Sequence, residues 1–172
     1  MSVLRIKDDV DEILEKDPKD AASLNGFAWL LSLRPDKPPY DPARALKLAE
    51  RAVEIDRTSA TFWNTLGVAR LRNNRSDAAE AFQRSIDGGS SGNEAFDWFP
   101  LAIVLSRRGD AARARQLYDQ AVDWVDKHPM TKNDPDLLQL QSEARTALGL
   151  PAPAPEAPAR AKTSAPAQAG PA

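Results

Sequence analysis

Phe96-Asp97-Trp98-Phe99-Pro100-Leu101-Ala102-Ile103-Val104-Leu105-Ser106-Arg107-Arg108-Gly109-Asp110, continuing through Ala111-Ala112-Arg113-Ala114-Arg115-Gln116-Leu117-Tyr118-Asp119-Gln120-Ala121, is the stretch that decides the fold. Trp98, Leu101, Ala102 and Leu105 before the break, and Ala114, Tyr118 and Ala121 after it, recur at three- and four-residue spacing. That is the period of a helix with one buried face and not the alternation of a strand. Gly109 followed by Asp110 is a helix stop followed directly by a helix start. The segment therefore reads as two helices folded back on one another.

The same order of residue types occurs twice more upstream. One copy has Trp63, Leu66, Gly67, Ala78, Phe82 and Ser85; the other has Leu24, Phe27, Ala28 and Leu31, then Ala45, Ala49 and Ala52 after a longer loop. Ala45 to Ala78 and Ala78 to Ala114 are 33 and 36 residues apart. A period of this length marks a stack of helix pairs, none of which can bury its apolar face alone. The small residues Ala28, Gly67 and Ala102 let the first helix of each pair touch its partner closely, and Trp63, Trp98, Phe82 and Tyr118 fill the space between pairs. On this register Trp98→Ala is expected to cost about 3–5 kcal/mol and Asn64→Ala a few tenths.

Flanking segments complete the division. Val3, Ile6, Val10 and Ile13 form one face of a flanking helix over residues 1–16, the three pairs occupy 17–133, and a capping helix over 134–150 covers the far end with Leu137, Leu138, Leu140 and Leu148. About eight helices are expected. Asp41-Pro42 and Asp134-Pro135 combine an N-cap with proline at the first helical position, and Ser76, Asn93 and Asp110 are further cap candidates. Pro100 should kink or delay its helix. The turn at Asn73-Asn74-Arg75 is one residue short, Arg34 to Pro39 is a stiff break, and Gly88 to Gly92 a flexible one. Pro151 to Ala172, almost entirely proline and alanine, is expected to be a disordered tail.

These residues resemble the tetratricopeptide repeat, W-x-x-L-G-x-x-Y followed by A-x-x-x-F-x-x-A, over roughly residues 17–150. The resemblance implies an all-α solenoid of about three helix pairs with flanking helices. In wording, the chain is similar to repeat regions that accompany serine/threonine kinase and other signalling domains in some bacteria, although no Gly-rich loop, H-R-D or D-F-G is present. Carried over residue by residue, the resemblance makes Asn25, Trp29, Asn64, Val68, Phe96, Phe99 and Ile103 the lining of a concave groove. Arg72 and Arg107 stand at the edge where the first helices end, with Arg34, Lys37, Arg70, Arg75 and Arg108; these cations read either as offsetting the helix macrodipole or as a basic rim that orients an acidic partner. Some family members clamp the acidic C-terminal tails of heat-shock chaperones with lysine, asparagine and arginine. The matching positions here are Asn25, Trp29, Thr65, Phe96 and Pro100, so such a tail is not an expected ligand.

Composition narrows the chemistry. The chain has no cysteine and a single histidine, His128, in 172 residues. Thiolate metal sites, cysteine nucleophiles and histidine pairs are thereby excluded, and no cofactor or metal is expected. His128 precedes Pro129 at a helix end and reads as a cation near a helix C-terminus. The glycine-rich run at residues 88–92 lacks the Gly-Lys-Ser/Thr ending of a phosphate loop. A net charge of −2 gives no general attraction to nucleic acid or anionic membrane. Met1 to Asp9 turns acidic before an apolar run builds up, unlike a signal or transit peptide, so the expected location is the cytoplasm. The expected function is non-enzymatic: a scaffold binding a partner peptide or helix with apolar anchors and an acidic end, with structural self-association as the alternative.

Overall fold

The computed structural model describes residue 12 and residues 20–151. The expected flanking helix, apart from Glu12, and the proline-alanine segment beyond Pro151 lie outside the described residues. Over residues 20–151 seven α-helices follow one another: α1 (Ala21–Leu33), α2 (Pro42–Ile55), α3 (Ala60–Arg72), α4 (Ala78–Asp87), α5 (Ala95–Arg107), α6 (Ala111–Lys127) and α7 (Pro135–Ala147). No strand occurs among the described residues. The protein is an all-α repeat fold in which α1 packs with α2, α3 with α4 and α5 with α6.

Local chemistry explains most helix starts. The side chains of Asp20, Asp41, Ser59, Asp110 and Asp134 each accept a hydrogen bond from a backbone N–H in the first turn of the following helix, satisfying donors that have no intrahelical partner. Ser76 and Asn93 do not serve as caps. The cap positions fall on Asp77 and Glu94, neither of which bonds the helix through its side chain.

The short turn has a definite structural cost. Helices α3 and α5 both end in a left-handed residue, Asn74 (φ 53°) and Gly109 (φ 83°), with paired closing bonds: Asn74 N to Leu71 O and Arg75 N to Arg70 O in one, Gly109 N to Ser106 O and Asp110 N to Leu105 O in the other. After Gly109 the next helix starts at once, and Ala114 is its fourth residue. After Asn74 the chain turns through Arg75, Ser76 and Asp77, so the equivalent Ala78 is the first helical residue of α4. The missing residue is absorbed by loss of the first helical turn.

Packing within the pairs follows the small-residue reading. Ala28 and Ala102 are fully buried, and a Cβ placed on Gly67 would lie 2.6 Å from the ring of Phe82. Phe82 and Phe99 are fully buried and Tyr118 nearly so. Trp63 and Trp98 are only half-buried at the edge of the core. Trp63 donates its indole N–H to Arg57 O (2.8 Å) and carries the Arg84 guanidinium over its ring. The aromatic weight of the core thus lies with the phenylalanines.

Pro100 sits inside a continuous α5. Proline lacks the N–H that would bond the carbonyl four residues earlier, which here belongs to Phe96. Asn64 Nδ2, from α3, takes its place and donates to Phe96 O at 2.9 Å. The helix continues through Pro100 while a neighbouring side chain satisfies the orphaned acceptor. The run at residues 88–92 is likewise built into the fold. Gly89, Ser90, Ser91 and Gly92 all have positive φ, Ser90 is buried, and the Ser91 hydroxyl lies 2.7 Å from that of Thr61 on α3.

Candidate functional site

The first helices of the three pairs, α1, α3 and α5, present their inner faces side by side, where the groove was expected. The last helix does not cap the end of the stack as anticipated. Helix α7 packs chiefly on α5 and touches α6 only slightly. Its side chains reach back to α1 and α3. Asp136 Oδ2 accepts from the Trp29 indole N–H at 3.2 Å, and Asp136 Oδ1 pairs with Arg34 at 3.2 Å. Glu143 forms a two-pronged pair with Arg72, one prong of 2.9 Å, and Arg72 also donates to Ser32 O and Leu33 O at the end of α1 (2.8 and 3.0 Å). Leu137, Leu140 and Ala144 join the same buried cluster as Val68 and Ile103.

Four of the expected groove residues are therefore internal. Val68, Phe99 and Ile103 are buried, and the Arg72 side chain is 6% exposed. Phe99 belongs between α5 and α6, with its ring centroid 5.6 Å from that of Tyr118. Val68, Ile103 and Arg72 lie on the side covered by α7. As an open surface for a partner, this half of the groove is closed.

The other half is open. A cleft of about 460 Å³ lies between α1, the start of α3, the start of α5 and the N-terminus of α7, and Asn25, Trp29, Asn64 and Phe96 all line it. The Trp29 and Phe96 rings stand 5.9 Å apart at 60°. Asp134 and Asp136 form the wall contributed by α7. Asn25 Oδ1 is buried in this region without a hydrogen-bond partner, an acceptor left unused by the fold. Asn64 differs: its Nδ2 is committed to Phe96 O and to Asp97 Oδ1 (2.8 Å). Asp97 is 1% exposed and also accepts from the Ser85 hydroxyl at 2.9 Å. Burial raises its pKa above the usual carboxylate value, opposed by the hydrogen bonds from Asn64 and Ser85.

Much of the expected basic rim is engaged within the protein. Besides Arg34 and Arg72, Arg70 and Arg75 share Asp77 (3.6 and 3.1 Å), and Arg108 bonds Ser76 O. Arg107 is exposed, with one long contact of 3.4 Å to Asn74 Oδ1. His128 stacks on Trp124 at 3.9 Å and its Nδ1 lies 2.7 Å from Trp124 O, so it closes the end of α6.

Missed by sequence reasoning were the roles of Asp97, Asp136 and Glu143. A signal existed for the last two: acids flanking the apolar positions of α7 complement arginines near the ends of α1 and α3. Among the described residues no cluster of three or more histidine, cysteine or acidic side chains could hold a metal ion, and no helix is long and apolar enough to cross a membrane.

Stacked helix pairs with small residues at the close contacts and an inner face built from the first helices define an all-α helical-repeat fold. Residues 41–94, from the cap of α2 to just before the start of α5, match the family model of the tetratricopeptide repeat, which supports assigning that stretch to the repeat. The family is a non-catalytic repeat that mediates protein–protein interaction. No curated protein gives a significant match to the chain.

Proposed function

We propose that the protein is an interaction scaffold whose binding surface is the open half of the inner face, between Asn25, Trp29 and Phe96. The observation that carries this reading is the 460 Å³ cleft with an unpaired buried acceptor, Asn25 Oδ1, beside two angled aromatic rings. Binding sites combine apolar surface with a few placed polar groups, and aromatic anchors supply most of the affinity. The ligand that fits is an extended segment of a partner protein, with an apolar side chain against Trp29 and Phe96 and an N–H donated to Asn25.

An acidic end does not suit this site. Arg34 and Arg72 are held by Asp136 and Glu143, and the charge bordering the cleft is that of Asp134 and Asp136. A neutral or basic residue beside the anchor fits better, since unlike charges at a rim favour encounter.

Selection of a displayed peptide library on the whole protein tests the reading, with enriched peptides measured by calorimetry against Asn25→Ala and Trp29→Ala. Both substitutions should weaken binding at least about tenfold, the loss appearing in dissociation more than association. Peptides that bind both variants as tightly as the parent would place the interaction elsewhere.

A further inference from the structure

We infer that the closed half of the inner face is a recognition site for the α7 sequence itself, and that it takes α7 from a second copy of this chain as well as from its own. This inference is independent of the cleft and of what the cleft binds.

The basis is how specifically α7 is read. Along the helix, Asp136, Leu137, Leu140, Glu143 and Ala144 all point toward the first helices: the apolar members enter the buried cluster, and the acids meet Trp29, Arg34 and Arg72 on two other helices. Apolar anchors at three- and four-residue spacing, bracketed by charge-assisted hydrogen bonds, are the terms in which grooves recognise helices. A separate polypeptide bearing this face would form the same interactions.

The connection is also permissive. Between the end of α6 at Lys127 and the start of α7 at Pro135 the chain runs through Pro129–Thr131, a single short turn with no buried residue, in which Met130 is 94% exposed. Helix α7 barely touches α6, so it is bound to the groove more than to the helix that precedes it. Exchange of an identical element between copies is a low-cost route to a dimer, because the interactions α7 gives up within its own chain are formed again with the other. A short tether gives the chain's own α7 an effective concentration on the order of millimolar, so the closed monomer dominates at micromolar protein. Exchange should increase as the concentration approaches that range.

The absence of cysteine makes the test direct. The Ser106 hydroxyl on α5 donates to Ala147 O at 2.8 Å, which brings these positions together only when α7 occupies a groove. One chain carries Ser106→Cys alone and a second carries Ala147→Cys alone, so neither can join the two positions within itself. The two are unfolded together, refolded together at about 1 µM and about 1 mM, and treated with a short bismaleimide. A third chain with Gln120→Cys, exposed on α6, replaces the Ser106→Cys chain to measure collision. Exchange is expected to give a heterodimer several-fold above the collision control, with a yield that rises between the two concentrations. Adding Arg72→Glu to the first chain and Glu143→Arg to the second should raise the yield further, since like charges then oppose closure within each chain and unlike charges meet only between them. A yield at the collision level in both mixtures, from variants whose helical circular dichroism equals that of the parent, would overturn the inference.

Discussion

Asn64 and Val68 lie one helical turn apart on the inner side of α3, yet they belong to different surfaces. Val68 is sealed into a cluster that includes Leu137 and Leu140 of α7, whereas Asn64 borders an open cleft. The closed half is apolar and bracketed by ion pairs; the open half is polar, with two aromatic rings and one unused acceptor. Because α7 takes the apolar half for its own burial, the half left open is the more polar one.

The contrast is most easily broken by truncating side chains on either side of it. Ile103→Ala, under α7, is expected to cost about 2–5 kcal/mol, because it removes a side chain that is 2% exposed and leaves a cavity. Arg107→Ala, one turn further along the same helix but exposed, should stay within about 0.5 kcal/mol. Urea unfolding measures both, and equal losses would show that α7 does not divide this face.

The two asparagines of the cleft give a finer comparison. Asn64→Ala removes the side-chain donor from Phe96 O and leaves the buried Asp97 carboxylate with the Ser85 hydroxyl but without its amide donor, and about 1–3 kcal/mol should be lost. This replaces the few tenths expected from the sequence. Asn25→Ala removes an amide whose oxygen has no partner, and stability should hardly change while the cleft loses its acceptor.

Close packing within the pairs can be tested through the glycines of the first helices. Gly67→Ala should destabilise by roughly 1–3 kcal/mol, since its Cβ would press on the Phe82 ring. Gly26→Ala on α1 meets no atom within 4 Å and should stabilise by up to about 1 kcal/mol through helix propensity.

The smallest effect concerns pH. Burial raises the Asp97 pKa, so the folded state keeps this proton to higher pH than the unfolded chain. Its contribution is most favourable below the ordinary carboxylate range and is lost as pH rises through the raised folded value. Asp97→Asn, which can still accept from Asn64, should flatten that part of the dependence in urea midpoints taken across the acid range. An unchanged dependence would mean that Asp97 titrates normally.

Much of the fold was legible because its determinants are local. Asp41-Pro42, Asp110 and Asp134-Pro135 announce helix starts through groups a few residues away, and Gly67 announces a close contact through the absence of a side chain. Ser76 and Asn93 misled because the missing residue at one turn and the left-handed run at the other move the true starts to Ala78 and Ala95. The site was less legible. Periodicity shows that Leu137 and Leu140 share an apolar face but not which surface meets it. Pro100 signals an orphaned carbonyl at Phe96, but its donor, Asn64, lies 32 residues away on another helix. Trp63 and Trp98 occupied the family's packing position, yet the buried weight falls on Phe82 and Phe99.

Beyond its packing on α5, α7 reaches α3 through the Arg72–Glu143 pair, and a double-mutant cycle on Arg72→Ala and Glu143→Ala reads that contact directly. The two side chains are 6% and 21% exposed and joined by two hydrogen bonds. A coupling of roughly 1.5–3 kcal/mol is expected, in the range of hydrogen bonds to charged groups. Additive losses, with no coupling beyond error, would mean that α7 does not lie across α3 in solution and that the groove is open along its whole length.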